Sequence, residues 1–255
     1  MDFLVAACTD VGIRKESNQD SSCIKIARTD IGTIAMAVIC DGMGGLSKGE
    51  LASATVIKAF SAWFENELPG LIDSFSVDEV KYRWDRLIKE QNYRIAEYGR
   101  SINAKLGTTL TALLIVGSGH TIICHVGDSR AYRIKDKIEV LTEDQTVVGR
   151  EVRRGLMTPE EAENDPRRNV LLQCIGASRT VIPDFIIGDV EKNCIYMLCS
   201  DGFRHKLTAD EIFENLKPEI LSNSDIMQQK IRNLVELNKM RMENDNITAL
   251  LIKTV

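Results

Sequence analysis

The chain has no apolar run approaching the roughly 20 residues needed to cross a bilayer. It has no basic stripe either. Its 32 Lys+Arg against 37 Asp+Glu give a formal charge of -5, which argues against a general binder of nucleic acid or anionic membrane. The nearest basic cluster, Arg150, Arg153 and Arg154 with Arg167 and Arg168, is interrupted by Glu151 and by Glu160-Glu161, and reads as solvated surface. The seven cysteines (Cys8, Cys23, Cys40, Cys124, Cys174, Cys194 and Cys199) include no C-x-x-C pair, and most lie inside apolar runs. Free, buried thiols in a reducing compartment are therefore expected, rather than a disulfide framework or a zinc site. The three histidines, His120, His125 and His205, show no metal-ligand spacing and read as structural. Repeats, low-complexity tracts and Pro/Ser-rich linkers are missing too, so 255 residues are expected to form a single domain. Residues 1–8 lack a basic n-region and read as a first strand, not a signal peptide. Together these absences give a cytoplasmic globular protein as the expectation.

What is present is a series of short apolar runs, at 3–8, 22–27, 33–40, 108–116, 121–126, 131–134, 137–141, 185–190, 194–199 and 247–253. Their lengths and the turn residues between them predict strands. Gly117-Ser118-Gly119 is a hairpin signal, and Thr29-Asp30-Ile31-Gly32 joins another pair; tight links of this kind favour antiparallel pairing. Longer helices are predicted over 49–68, with Leu51, Ala54, Thr55, Ile57, Lys58, Phe60 and Phe64 on one face, and over 77–106. The second carries Val80, Trp84, Leu87, Ile88, Tyr93, Ile95 and Ala96. Two more are expected near 208–216, where Thr208-x-x-Glu211 reads as a capping box, and near 224–237. Antiparallel sheets with helices outside, an α+β layered sandwich, is the natural packing. Residues 144–168, rich in charge and holding Gly149, Gly155, Pro159 and Pro166, resist regular assignment. Thr158 and Pro159 could start one short helix there; the rest reads as an exposed excursion of the kind that forms lids.

Four aspartates stand where strand-like runs meet turns: Asp41, Asp128, Asp201 and Asp245. A carboxylate at the end of a buried strand is costly unless a cation or hydrogen-bond donors compensate, and four from distant segments suggest a shared cation site. Asp41-Gly42-Met43-Gly44-Gly45 lacks the lysine and hydroxyl that a phosphate loop needs after its last glycine. Oxygen-only ligands favour Mg²⁺ or Mn²⁺ over zinc, and such a site suits phosphoester hydrolysis or phosphoryl transfer.

The motifs, in order, are Asp10-Val11-Gly12 with Asn18-Gln19-Asp20; Asp41-Gly42-Met43-Gly44-Gly45 followed by Gly49-Glu50-Leu51-Ala52-Ser53; Gly107-Thr108-Thr109; Val126-Gly127-Asp128-Ser129-Arg130; Leu141-Thr142-Glu143-Asp144; Arg168-Asn169-Val170-Leu171; Cys199-Ser200-Asp201-Gly202; and Asp245-Asn246-Ile247-Thr248. The ordered set resembles the metal-dependent protein phosphatases of the type 2C (PPM) family, in their compact bacterial form. The resemblance implies an α-β-β-α sandwich and hydrolysis of phosphoserine and phosphothreonine in proteins by metal-activated water, with no covalent enzyme intermediate. It implies that Asp41 bridges two ions (Mn²⁺ or Mg²⁺), that the Gly42 carbonyl completes one, and that Asp201 and Asp245 hold the other. It also implies that Asp20 and Gln19 lie beside the first ion, with Asp20 a metal-site residue that orients a metal-bound water, and that Asp128 with Asp201 binds a third, weaker ion. Residues 146–168 match the family's flap. The implied partners are phosphoproteins opposed to a Ser/Thr kinase, and the implied enzyme is a monomer.

The chain departs from the family pattern in two places. Lys15 stands where many bacterial relatives carry the arginine that grips phosphate, and Arg14 precedes it, so either could do that work; lysine cannot make the bidentate grip. Gln145 stands where relatives often have histidine, which weakens any proposal for a general acid there. Cys199 is followed by Ser-Asp-Gly-Phe-Arg, not by a C-x5-R loop, and reads as a strand residue. Two other readings share the same features: a non-catalytic phosphoprotein-binding module, and a protein that binds cations structurally.

Overall fold

Residues 34–40 are buried on both faces, and the strand alternation decides where each side chain goes. Ile34, Met36, Val38 and Cys40 pack with helix residues, whereas Ala35, Ala37 and Ile39 point at a second sheet. Two alanines on that inner face leave little bulk between the sheets. The computed structural model in which this is seen describes residues 1–44, 48–117 and 119–255. Gly45 and Ser118, named above in turn motifs, lie outside the described residues.

One sheet contains β1 (Phe3–Asp10), β7 (Arg130–Ile134), β8 (Ile138–Val140), β10 (Ile195–Cys199) and β11 (Ile247–Thr254), in the order β1-β11-β10-β7-β8. The other runs β2-β3-β5-β6-β9, from β2 (Asp20–Thr29), β3 (Gly32–Gly44), β5 (Leu110–Val116), β6 (His120–Val126) and β9 (Asp184–Asp189), with β4 (Leu106–Thr108) paired to the end of β3. Every pairing is antiparallel. Helices α1 (Gly49–Asn66) and α2 (Val77–Ser101) cover the second sheet. Short helices α3 (Val147–Arg153), α4 (Pro159–Asn164) and α5 (Asp201–Arg204) follow. Helices α6 (Ala209–Leu216) and α7 (Ser224–Met240) cover the first sheet. The layers are helix, sheet, sheet, helix, as expected.

The differences from the sequence reading have local causes. The 108–116 run is two strands, because the Thr109 amide leaves the ladder to donate to the Asp41 carbonyl at 2.9 Å. Helix α2 stops at Ser101 rather than Leu106: Asn103 takes a left-handed φ of 51°, and Leu106 opens β4. On α1 the buried face is Ala52, Val56, Phe60, Trp63 and Phe64, whereas Leu51 is 41% exposed; on α2, Tyr93 is 60% exposed. Trp84 packs edge-on against Phe60 and Trp63, with ring centroids 5.3 Å apart in both pairs. Thr208 and Glu211 form the expected capping box. Thr158 starts a helix with Pro159 in its first turn, and Glu161 completes a second box there. Helix α3 was not expected; Thr146 caps it, its hydroxyl accepting from the Gly149 amide at 3.0 Å.

Candidate active site

Asp41 is held inside β3, not at its end. Its Cα partner across the ladder is Asp20, and the strand continues because Gly42 and Met43 pair with Thr108 and Gly107 of β4. The Asp41 amide donates to Thr109 Oγ1 at 2.9 Å, and its carbonyl accepts from the Thr109 amide and the Thr108 hydroxyl, both at 2.9 Å. Gly42 must be glycine: a Cβ there would lie 2.3 Å from the Gly49 carbonyl oxygen and 2.6 Å from that of Gln19. Asp201 opens α5. The following Gly202 lets the backbone at Asn246 approach, since a Cβ would meet its carbonyl oxygen at 2.1 Å. Asn246 fixes the loop before Asp20: its Nδ2 donates to the Val11 and Ser17 carbonyls at 2.9 and 3.2 Å, and its Oδ1 accepts from the Gln19 amide at 2.9 Å.

Asp41, Asp128, Asp201 and Asp245, the four aspartates singled out from sequence, line one cleft of about 360 Å³ together with Lys15, Gln19, Gly42, Met43, Asn169 and Leu171. A second cavity of about 270 Å³, between α1 and α2, contains no carboxylate among its lining residues. Lys15 reaches into the first cleft, its Nζ 2.9 Å from Asp245 Oδ1; Arg14 is exposed and is not among the lining residues. Asp20 is buried behind Asp41 and accepts from Ser200 Oγ at 2.9 Å.

Burial, and then the Asp201 and Asp245 charges, push the Asp20 carboxyl up to about 7 against hydrogen bonds from Thr248 and Ser200. Asp128 is likewise raised to about 7, by burial first and Asp201 second. Asp41 is held well above the ordinary carboxylate range by burial and by Asp20, Asp201 and Asp128, and Asp201 is raised by burial and Asp245. Burial opposes the Lys15 charge, but the hydrogen bond to Asp245 and the charges of Asp245, Asp41 and Asp201 together outweigh it and raise the ammonium pKa.

Residues 13–236 match the family model described as Protein phosphatase 2C. The chain belongs to the protein phosphatase 2C family. It is 29% identical over 251 residues to Protein phosphatase PhpP of Streptococcus pneumoniae, covering 97% of this chain and 96% of that one. It is 31% identical over 223 residues to Serine/threonine phosphatase stp of Listeria innocua, with 86% and 84% covered. Among solved structures, the S. agalactiae serine/threonine phosphatase superimposes with a TM-score of 0.85 at 30% identity over 100% of both chains. The catalytic domain of the serine/threonine protein phosphatase PstP in complex with two manganese ions gives 0.77 at 28% identity over 98% and 97%. This protein phosphatase 2C chain is a protein serine/threonine phosphatase.

The metal dependence of the family can be tested against the residues of this chain. Asp20 Oδ1 and Asp201 Oδ1 are buried without a hydrogen-bond partner, which costs free energy that a cation would recover. Every charged acceptor in the cleft is a carboxylate, a hard oxygen donor set. Among the described residues no three carboxylate, imidazole or thiolate groups close on one point. The donor chemistry fits a hard divalent cation.

Sequence reading missed several residues behind this wall. His205 lies between Asp201 Oδ2, 3.5 Å from its Nε2, and Glu243 Oε2, 3.6 Å from its Nδ1; the Asp201-x-x-x-His205 helical spacing was its only signal. Glu243 also accepts from the Asn244 and Asp245 amides at 2.8 and 3.0 Å, shaping the turn that presents Asp245. Asp144 accepts two bonds from Arg130 at 2.7 and 2.8 Å and one from Arg204 at 3.1 Å, and Arg204 also donates to the Asp128 carbonyl at 3.3 Å. His125 is structural as expected: it is fully buried between the Thr111 hydroxyl and the Glu143 carbonyl, both at 3.0 Å.

Proposed function

We propose that this chain hydrolyses phosphoserine and phosphothreonine monoesters in proteins with two divalent cations, Mn²⁺ or Mg²⁺, at its core and a third, weaker one. Four aspartates from four remote segments lining one cleft, with a buried oxygen of Asp201 unpartnered there and one of Asp20 unpartnered behind it, is the observation that carries this reading. When bound, the ions would supply Lewis-acid charge and lower the pKa of water. Asp41 and the Gly42 carbonyl, Asp201 and Asp245 would hold the core pair, with Asp128 and Asp201 holding the third. Asp20, fixed by Ser200, would accept a hydrogen bond from the attacking water and orient it. Lys15 would meet a phosphoryl oxygen, a role supported by its ammonium 2.9 Å from Asp245 and by its being among the cleft's lining residues while Arg14 is not.

Substrates released by a Ser/Thr kinase, a monomeric single domain and a cytoplasmic setting belong to the same reading. It is supported by seven free cysteines and by the fact that no described helix is long and apolar enough to cross a membrane. Purified chain should turn over a phosphothreonine peptide with Mn²⁺ or Mg²⁺ and lose at least a hundredfold in rate with excess EDTA, a loss of about 2.7 kcal/mol or more in transition-state stabilisation. Asp41→Asn and Asp201→Asn should do the same. Undiminished turnover in EDTA and in both variants would refute the proposal.

A further inference from the structure

His205 and Glu243 take no part in the chemistry above, yet they stand between two aspartates that do. They come from elements packed backbone to backbone. Gly202 in α5 approaches the Asn246 carbonyl so closely that a Cβ would lie 2.1 Å from its oxygen. Asn238, buried in α7, fastens both sides: its Nδ2 donates to the Phe203 carbonyl of α5 at 2.8 Å, and its own carbonyl accepts from the Glu243 amide at 3.0 Å. Met242 turns the chain beyond α7 with a left-handed φ of 62°, and Glu243 after it is buried.

Between these elements His205 presents one ring nitrogen to each carboxylate. Its Nε2 lies 3.5 Å from Asp201 Oδ2 and its Nδ1 lies 3.6 Å from Glu243 Oε2. The other Glu243 oxygen accepts from the Asn244 and Asp245 amides. A continuous line therefore runs from the Asp201 carboxylate through His205 and Glu243 to the backbone of Asp245. Asp201 turns Oδ2 to the ring, and its Oδ1 is buried without a hydrogen bond. Glu243 Oε2 is also buried without a hydrogen bond, and the imidazole nearby compensates it. Buried ionisable pairs are often no more stabilising than apolar side chains of the same volume. Stability alone gives little reason for this pair, whereas aiming two ligands does.

We propose that His205 and Glu243 are positioning residues that bridge Asp201 to the turn carrying Asp245, so that the two aspartates are presented to their shared core cation as one unit. The proposal rests on the reading of Asp201 and Asp245 as ligands of one core ion. Partners that orient a ligand typically change metal affinity by about 10- to 100-fold when removed. His205 and Glu243 act in series, so the loss of one removes most of what the other contributes.

The test is calorimetric titration of the chain with Mn²⁺, read at its tightest sites, alongside thermal unfolding in EDTA. His205→Phe keeps a ring and removes both nitrogens, and it should weaken Mn²⁺ binding there by roughly 10- to 100-fold. Glu243→Ala should do the same, and the double variant should stay within about twofold of the weaker single one. Wild-type affinity in His205→Phe, with only a lower Tm in EDTA, overturns the inference and leaves the pair a structural contact. Losses that multiply in the double variant overturn the bridge as well. Should His205→Phe not fold, His205→Gln keeps a donor toward Asp201 and His205→Asn keeps one toward Glu243. Each omits one link and should bind Mn²⁺ roughly tenfold more weakly; wild-type affinity in either overturns the proposal. Asp245→Ala separates the two layers. If the tightest Mn²⁺ sites survive it, the ligand reading itself fails and the inference falls with it; if it abolishes one of them while the His205 variants bind like wild type, the inference alone fails.

Discussion

Lys15 and Asp245 come from opposite ends of the chain, yet their side chains meet 2.9 Å apart in the cleft. Counting back from Asp20 was enough to nominate Lys15 or Arg14, because that spacing is a property of sequence. Which of the two enters the cleft depends on the turn at Gly12, whose φ of 77° and close contact with the Asp245 carbonyl are tertiary facts. A hydrogen bond to a charged group contributes about 1.5–3 kcal/mol, so Lys15→Met should raise KM for a phosphopeptide at least roughly tenfold and change kcat less. Arg14→Met should stay within about twofold of wild type, as expected of exposed surface. Steady-state kinetics on both variants decides this, and a larger effect from Arg14 would reverse the assignment. Asp41 was found from sequence, but its place in mid-ladder was not. The strand β4, which lets β3 run on past Asp41, takes Leu106 from the end of the predicted helix and Thr108 from the start of the predicted strand run, and three residues give no period of their own.

At the scale of elements, strand runs and capping boxes were legible because each is a local pattern with a fixed period or offset. Helix α3 was not, since seven residues with Val147, Val148 and Val152 are too short a run to establish a helical period. The Arg130–Asp144–Arg204 group was also invisible in sequence, being assembled from a strand, a loop and a helix. It ties the start of the 144–168 excursion to the backbone of Asp128. Burial works against the Asp144 charge, but the two arginines outweigh it and hold its pKa below the ordinary range. Removing one partner of a partly buried, hydrogen-bonded ion pair costs about 1.5–3 kcal/mol. Asp144→Ala should lose about that much stability in urea denaturation, and a loss below about 1 kcal/mol would show the arginines finding water instead.

Across the whole molecule, the sandwich was readable from the tally of strands and helices, but which face of each strand meets the other sheet was not. The run 34–40 is apolar at every position, so alternation gives no sign there. Gathering the aspartates has a consequence for the pH response of the entire chain. Asp20 and Asp128 are raised to about 7, by burial first, so between about pH 4 and 7 the folded chain keeps protons that the unfolded chain has released. In EDTA, stability should therefore fall as pH rises through that window. Mn²⁺ requires the ionised carboxylates, so the rise in Tm that it produces should be larger at pH 7.5 than at pH 5.5. Thermal scans in EDTA and in Mn²⁺ at both values check this, and an EDTA curve that climbs with pH contradicts it.

The seven cysteines have a bearing on how such an enzyme could be silenced. Burial raises the pKa of every one of them, so at neutral pH little nucleophilic thiolate is offered to an alkylating agent or peroxide. Iodoacetamide at pH 7 should leave turnover of a phosphopeptide within about twofold of the untreated rate, and rapid inactivation would mean that a thiol opens to solvent. Oxidative stress that disables thiol-dependent enzymes would then pass this one by, leaving dephosphorylation running while its neighbours stop.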